Sequence, residues 1–185
     1  QLYRFAFEEG RRTDNPALQI SGPGQDKSLP KILSVEEVDR LLTAARSTGR
    51  NDADRLRNTC LMELLYATGM RVSELVGLPV SATRGDPRLL LILGKGGKER
   101  MVPLSPDART ALATWITLRD ETQTARMAKK QPASKFLFPS RGAEGHLTRH
   151  RFYLLIKEIA VAAGVNPAKV TPHTLRHAFA THLLA

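Results

Sequence analysis

A single cysteine, Cys60, is all the thiol chemistry that the 185 residues offer. It sits in an apolar helical run, reads as a small core hydrophobe, and excludes a disulfide framework within the chain; a reducing, cytoplasmic setting fits. No stretch approaches the roughly 18 apolar residues of a membrane-spanning helix. The opening QLYRFAFEEGRR lacks the order of a secretory signal, so no membrane insertion is expected. Internal repeats and low-complexity tracts are absent from the text, and acidic residues are in deficit. Against 28 Lys and Arg stand 18 Asp and Glu, a formal charge of +10 with neutral His. The cations occur along most of the length rather than in one tail. A polyanion is the natural partner for such a chain, although exposed Lys and Arg often serve solubility alone.

With 42% hydrophobic residues, the chain can bury one core and at most a small appendage. Leu2 to Gly10 reads as a helix end, and the text from Thr13 to Pro30, punctuated by Pro16, Gly22, Pro23, Gly24 and Pro30, reads as a linker. The expected division is therefore a helix end over 1–12, a linker over 13–33 and the main domain over 34–185. Gln1 stands where an initiator methionine would, and both ends fall in helix-like text, so a piece of a longer protein is expected.

Within the main domain, Ser34 and Glu37 form a capping box for a helix burying Val35, Val38, Leu42 and Ala45. A second helix runs from about Asp54 to Thr68 and stops at Gly69, and Arg71 to Leu78 adds a turn or two. The period then changes. Leu89 to Leu93 and Met101 to Leu104 are short strands flanking Gly94, Gly96 and Gly97, a hairpin with a basic tip. Ser105 and Pro106 open a long helix, followed by a polar basic stretch over 122–134 of undecided state and a short extended piece at Phe136 to Phe138. Thr148 caps a helix with a buried stripe of Phe152, Leu155, Ile156, Ile159 and Ala163, ended by Gly164. Thr171 and Pro172 open the last helix, expected to continue to Ala185. The fold class is mainly α with a small antiparallel β-sheet.

Three segments combine unusual residue choice with plausible geometry. In Ala67-Thr-Gly-Met-Arg-Val-Ser-Glu-Leu75, Arg71 follows a glycine break and can project from a rigid base; the plainer alternative is a surface pair with Glu74 at i,i+3. Gly94-Lys-Gly-Gly-Lys-Glu-Arg100 places Lys95, Lys98 and Arg100 in and after a glycine-rich tip. It lets cations approach phosphate closely, or equally leaves a solvated turn that protects a sheet edge. It is not a Walker loop, since G-x-x-x-x-G-K-[ST] is absent. In Thr171-Pro-His-Thr-Leu-Arg-His-Ala-Phe-Ala-Thr-His182, His173 and Arg176 share a helix face near the first turn, where free backbone N–H groups favour an anion. Leu175, Phe179 and Leu183 would fix the helix to the core. His177 and His182 read as packing residues. The i,i+4 spacing of His173 and His177 resembles some zinc helices, but no third ligand is identifiable, and neither metal nor cofactor is expected.

Taken together, ATGMRVSEL, GKGGKERMVPL, the FLFPS run, LTRHRFYLLIKEIA and HTLRHAFATHLL resemble, in this order and spacing, the catalytic domain of the tyrosine recombinases, specifically the XerC/XerD group. The resemblance covers Leu29 to Ala185, with residues 1–12 similar to the last helix of that family's core-binding domain. It implies Arg71, Lys95, His173 and Arg176 as catalytic residues and a 3′-phosphotyrosyl intermediate. A further histidine or tryptophan and the nucleophilic tyrosine would lie beyond Ala185, so this polypeptide alone is expected not to cleave DNA. Lys98, Arg100, Arg141, Arg149 and Arg151 would touch backbone phosphates, and Arg149 and His150 could reach base edges. The implied partners are double-stranded DNA with a specific site, paired recombinase subunits in a tetramer, and a division-associated DNA translocase. The implied role is chromosome dimer resolution, with a mobile-element integrase or a non-catalytic DNA-binding module as alternatives.

Overall fold

A computed structural model describes residues 2–19, 32–86 and 88–183, and of Gln19 and Lys95 the backbone alone. The chain forms two compact units, Gln1–Pro30 and Lys31–Ala185. In the first, helix α1 (Leu2–Glu8) carries an i,i+4 ion pair between Arg4 and Glu8 at 2.8 Å. Arg12 lies 5.6 Å over the Tyr3 ring, while Leu2, Phe5 and Phe7 remain exposed. The linker expected over 13–33 lies mostly outside the described residues; Pro16–Gln19 forms a 3-10 turn.

The second unit is built around α3 (Asp52–Thr68), which packs against α2 (Val35–Ala45), α4 (Val72–Val76), α5 (Pro106–Ala128) and α7 (Pro172–Leu183). A helix surrounded in this way must be apolar on more than one stripe. Accordingly, Cys60, Leu61, Met62, Leu64 and Leu65 are all buried. Burial pushes the Cys60 thiol well above its usual range, so it behaves as core and not as a reactive nucleophile. The Asn51 side chain caps α3 by accepting the Asp54 N–H at 2.8 Å. On α2 the Ser34 and Glu37 capping box forms as expected, but Leu41 and Ala44 share the buried face while Val35 is 48% exposed. Val35 is the first helical residue, and its side chain clears the neighbouring helices.

Strands β1 (Leu89–Leu93) and β2 (Glu99–Pro103) pair antiparallel, with Leu91 opposite Met101. Leu90 and Ile92 point into the core while Leu89, Leu91 and Leu93 face outward, the two-residue alternation of a half-buried strand. The segment over 122–134, undecided from sequence, continues α5 to Ala128. Polar burial explains the extension. Arg119 donates to the carbonyls of Phe136 and Ser134 at 3.0 and 2.6 Å, and Gln123 accepts the Ser134 N–H at 2.8 Å, so α5 needs its polar length to hold the piece at 134–138. Trp115 donates to the Leu137 carbonyl at 3.0 Å and stacks on Phe138. Helix α6 (Arg149–Ala162) is capped by Thr148 and buries Phe152, Leu155, Ile156 and Ile159. On α7 Leu175 is buried, but Leu183, expected to face the core, is 72% exposed.

The junction of α3 and α7 sets the rest. Gly69 ends α3 at φ 55°, and a Cβ built there would stand 2.2 Å from Cδ1 of Phe179. Both the left-handed backbone and the close approach require glycine. Gly69→Ala is expected to cost about 2–4 kcal/mol, from left-handed strain plus overpacking, seen as a lower urea midpoint at unchanged slope. Combining it with Phe179→Leu should recover part of that loss, making the pair non-additive.

Candidate active site

The start of α7 is held from three sides. Thr171 and Thr174 cap it reciprocally, the Thr174 N–H donating to Thr171 Oγ1 at 3.0 Å and the Thr171 N–H to Thr174 Oγ1 at 2.8 Å. Lys157 of α6 donates from Nζ to the carbonyls of Pro167 and of Val170, the latter at 2.7 Å, and Lys169 pairs with Glu37 of α2 at 2.7 Å. His173 therefore emerges, exposed, from a fixed first turn, with half-buried Arg176 one turn on. Both line a cleft of about 560 Å³ whose opposite wall is Met70, Arg71 and Ser73. Met70 is fully buried and anchors that wall. Nη1 of Arg176 is buried and has no hydrogen-bond partner among the described residues. A desolvated guanidinium donor of this kind costs stability until an acceptor meets it, and an oxyanion is the matching acceptor.

Across the wall, Arg71 is tied to α4. Its backbone N–H donates to Glu74 Oε2 at 2.8 Å and its Nη1 to Glu74 Oε1 at 3.1 Å, the i,i+3 pair that the sequence allows. Arg71 still keeps a 57% exposed side chain, against 7% for Glu74. Arg100 of β2 forks onto the same carboxylate at 2.8 and 3.2 Å. Burial alone would raise the Glu74 carboxyl, but the Arg100 guanidinium and the Arg71 donors outweigh it and hold the group at about 2. A second groove, about 470 Å³, runs from Arg71 and Glu74 to Leu93 and Gly94 at the hairpin base. Lys95 is the next residue in the chain, within the tight turn Lys95–Gly97. Arg71, His173 and Arg176 thus share one cleft, and Arg71 also lines the groove that reaches the foot of the lysine hairpin.

The remaining basic residues divide. Lys98 is exposed on the hairpin, and Arg149, His150 and Arg151 are exposed in the first turn of α6. Arg141 lines a different cavity of about 850 Å³, with Trp115, Arg126 and Lys129, sharing no lining residue with the cleft. Arg100, expected at a phosphate, is engaged with Glu74. Sequence reasoning missed that link because the partners are 26 residues apart. His182 bridges the Tyr66 hydroxyl and the Leu33 carbonyl, both at 3.1 Å, a packing role, and His177 is exposed. No three His, Cys, Asp or Glu side chains among the described residues gather to hold a metal ion.

Residues 31–185 match the model of the phage integrase family. The chain belongs to that family. Phage integrase relatives include the tyrosine recombinase XerD of Caulobacter vibrioides, 47% identical over 184 residues, covering all of this chain and 58% of that protein. XerD of Bradyrhizobium diazoefficiens is 49% identical over 192 residues, covering 99% of this chain and 59% of the relative. Among solved structures, the XerH site-specific recombinase in a pre-cleavage complex with its difH substrate aligns with a TM-score of 0.69 at 30% identity, over 85% of this chain and 44% of that one. The chain thus spans somewhat under two thirds of the length of these curated relatives, and its helical fold with a two-stranded antiparallel sheet is that of tyrosine recombinase catalytic domains.

The lowered Glu74 carboxyl has a signed consequence. Its ion pairs contribute fully above the ordinary glutamate value, about 4.3, and fade as pH falls through about 2. The stability difference between the unmutated chain and Glu74→Gln, measured by urea unfolding, should be constant above about pH 5 and shrink between about pH 4.3 and 2.

Proposed function

We propose that the parent protein is a Xer-type site-specific recombinase that cuts and rejoins double-stranded DNA through a 3′-phosphotyrosyl intermediate. One observation carries this reading: a guanidinium nitrogen of Arg176 with no partner among the described residues belongs to a side chain that lines a cleft with His173 and, opposite, Arg71. Two planar cations and an imidazole lining one cleft suit a transition state in which charge grows on nonbridging oxygens. Kinship with XerD favours the Xer group over mobile-element integrases.

In this reading Arg71 and Arg176 hold the nonbridging oxygens of the scissile phosphodiester. His173 takes the proton of the attacking tyrosine, whose oxygen bonds to phosphorus as the bond to the 5′ oxygen breaks. Lys95 supplies the proton that the departing 5′ oxygen needs. The phosphotyrosyl bond conserves the energy of the broken one, so a free 5′-hydroxyl reverses the step without a nucleotide cofactor. The nucleophile is none of the three tyrosines here. Tyr66 is hydrogen-bonded to His182, Tyr153 lies beneath the Lys157 ammonium at 4.8 Å, and Tyr3 belongs to the first unit.

Lys98, Arg141, Arg149 and Arg151 are assigned to DNA phosphates, with Arg149 and His150 near base edges. The exposed α6 start supports its part of this assignment, because a helix N-terminus with exposed cations suits a DNA groove. Exposed Leu2, Phe5 and Phe7 suit a helix that ends a core-binding domain over 1–12, followed by a linker over 13–33 and the catalytic domain from 34. The wider assignment is a cytoplasmic tetramer on DNA that resolves chromosome dimers and meets a division-associated translocase. No described helix is long and apolar enough to cross a membrane.

Incubated with a nicked suicide substrate, the full-length gene product should form a covalent DNA adduct, and Arg176→Ala should reduce its rate by about 10²–10³-fold. Undiminished trapping would remove Arg176 from the chemistry. The 185-residue polypeptide alone should bind DNA with affinity falling on a log-log salt slope of about −0.9 per neutralised phosphate, and should yield no adduct.

A further inference from the structure

We infer that Arg100 is a positioning residue, whose fork onto Glu74 clasps the foot of the β1–β2 hairpin against α4 and so sets where Lys95 stands relative to Arg71. The inference rests on the reading of Lys95 as proton donor.

Each oxygen of the Glu74 carboxylate receives one donor from Arg71 and one from Arg100. Oε1 accepts the two Nη1 groups at 3.1 and 3.2 Å, and Oε2 accepts the Arg71 backbone N–H and Arg100 Nη2, both at 2.8 Å. A carboxylate with a 7% exposed side chain, shared in this way, joins two elements far apart in sequence. The planar fork of Arg100 fixes direction as well as distance, which a lysine ammonium could not. Gly94 lies directly against this junction. A Cβ there would stand 3.3 Å from Arg100 Nη1 and 3.9 Å from Glu74 Oε1. The Gly94 N–H donates to the Lys98 carbonyl at 2.8 Å and closes the loop. Beyond it, Gly96 and Gly97 have positive φ and open space around the Cβ position. Lys95 therefore follows a residue that the Lys98 carbonyl holds and that lies against the Arg100–Glu74 junction, and it precedes a turn closed by the Gly97 N–H on the Gly94 carbonyl at 3.3 Å. Were Arg100 to reach for a phosphate instead, the buried carboxylate would be left to Arg71 alone, a costly exchange.

Leaving-group chemistry separates a positioning role from a structural or phosphate-binding one. A 5′-bridging phosphorothiolate substrate departs as a thiolate, whose conjugate acid has a pKa of about 8.5 and which needs no proton. In the full-length gene product, Arg100→Gln should slow adduct formation on the ordinary nicked phosphodiester by about 10- to 100-fold, and by no more than about 3-fold on the phosphorothiolate. Since any loss of folded protein affects both substrates alike, the ratio reads position alone. The salt slope of DNA binding should be unchanged. Equal loss on both substrates, no loss on either, or a slope lowered by about 0.9 would overturn the inference. Lys95→Ala is the control: if the phosphorothiolate fails to restore it, the proton-donor reading itself falls, whereas restoration of Lys95→Ala without Arg100→Gln rejects the clasp and leaves that reading standing.

Discussion

The contact between Gly69 and the Phe179 ring is the constraint on which the cleft depends. It lets the end of α3 and the side of α7 approach more closely than any side chain at position 69 permits. Arg71 leaves the chain two residues after the glycine, and His173 and Arg176 lie within two turns of the phenylalanine, so one close packing contact registers residues about a hundred positions apart. The cap at Thr171 and the Lys157 bonds to the preceding carbonyls then remove the freedom that remains at the head of α7. Polar interactions refine a geometry that packing establishes, the usual division of labour in a close-packed interior.

The cations around the cleft are not equivalent. Arg71 and Arg100 are restrained by one buried acid, which offsets their mutual repulsion. Arg176 has a desolvated nitrogen with no hydrogen-bond partner among the described residues. Lys98 and the basic start of α6 are exposed and screened by salt. Charge is therefore graded, from shared with a buried acid, through desolvated, to exposed. In the cleft the Arg176 donor stands with the exposed guanidinium of Arg71 and the imidazole of His173, a combination that the other cations with buried nitrogens, Arg55, Arg109 and Arg126, do not share.

Local chemistry made much of this legible. The caps at Ser34, Thr148 and Thr171, the glycine stops and the glycine-rich hairpin each announce themselves within a few residues. So did the pairing of His173 with Arg176, which needs only helical spacing. What escaped depended on partners distant in sequence. The extension of α5 rests on Arg119 and Gln123 serving carbonyl and amide groups of 134–136, and no period within α5 reports that. Val35 and Leu183 obey the helical pattern yet sit at helix ends, where no neighbouring element among the described residues covers them. The two partners of Glu74 show the same boundary: Arg71 is visible at i,i+3, whereas Arg100 comes from another element. The four residues of the family motif were placed by resemblance, and the geometry adds three of them to one cleft wall or the other, with the backbone of Lys95 at the adjoining hairpin.

Trp115 gives the molecule an optical asymmetry. It is the sole indole, held between a carbonyl of the 136–138 segment and the Phe138 ring, and it borders a cavity separate from the cleft. Its emission reports the seam beneath α5, whose cavity shares no lining residue with the cleft of Arg71 and Arg176. A change in tryptophan fluorescence when an anion enters the cleft would therefore signify long-range rearrangement of the domain, and a silent spectrum would be compatible with full occupancy.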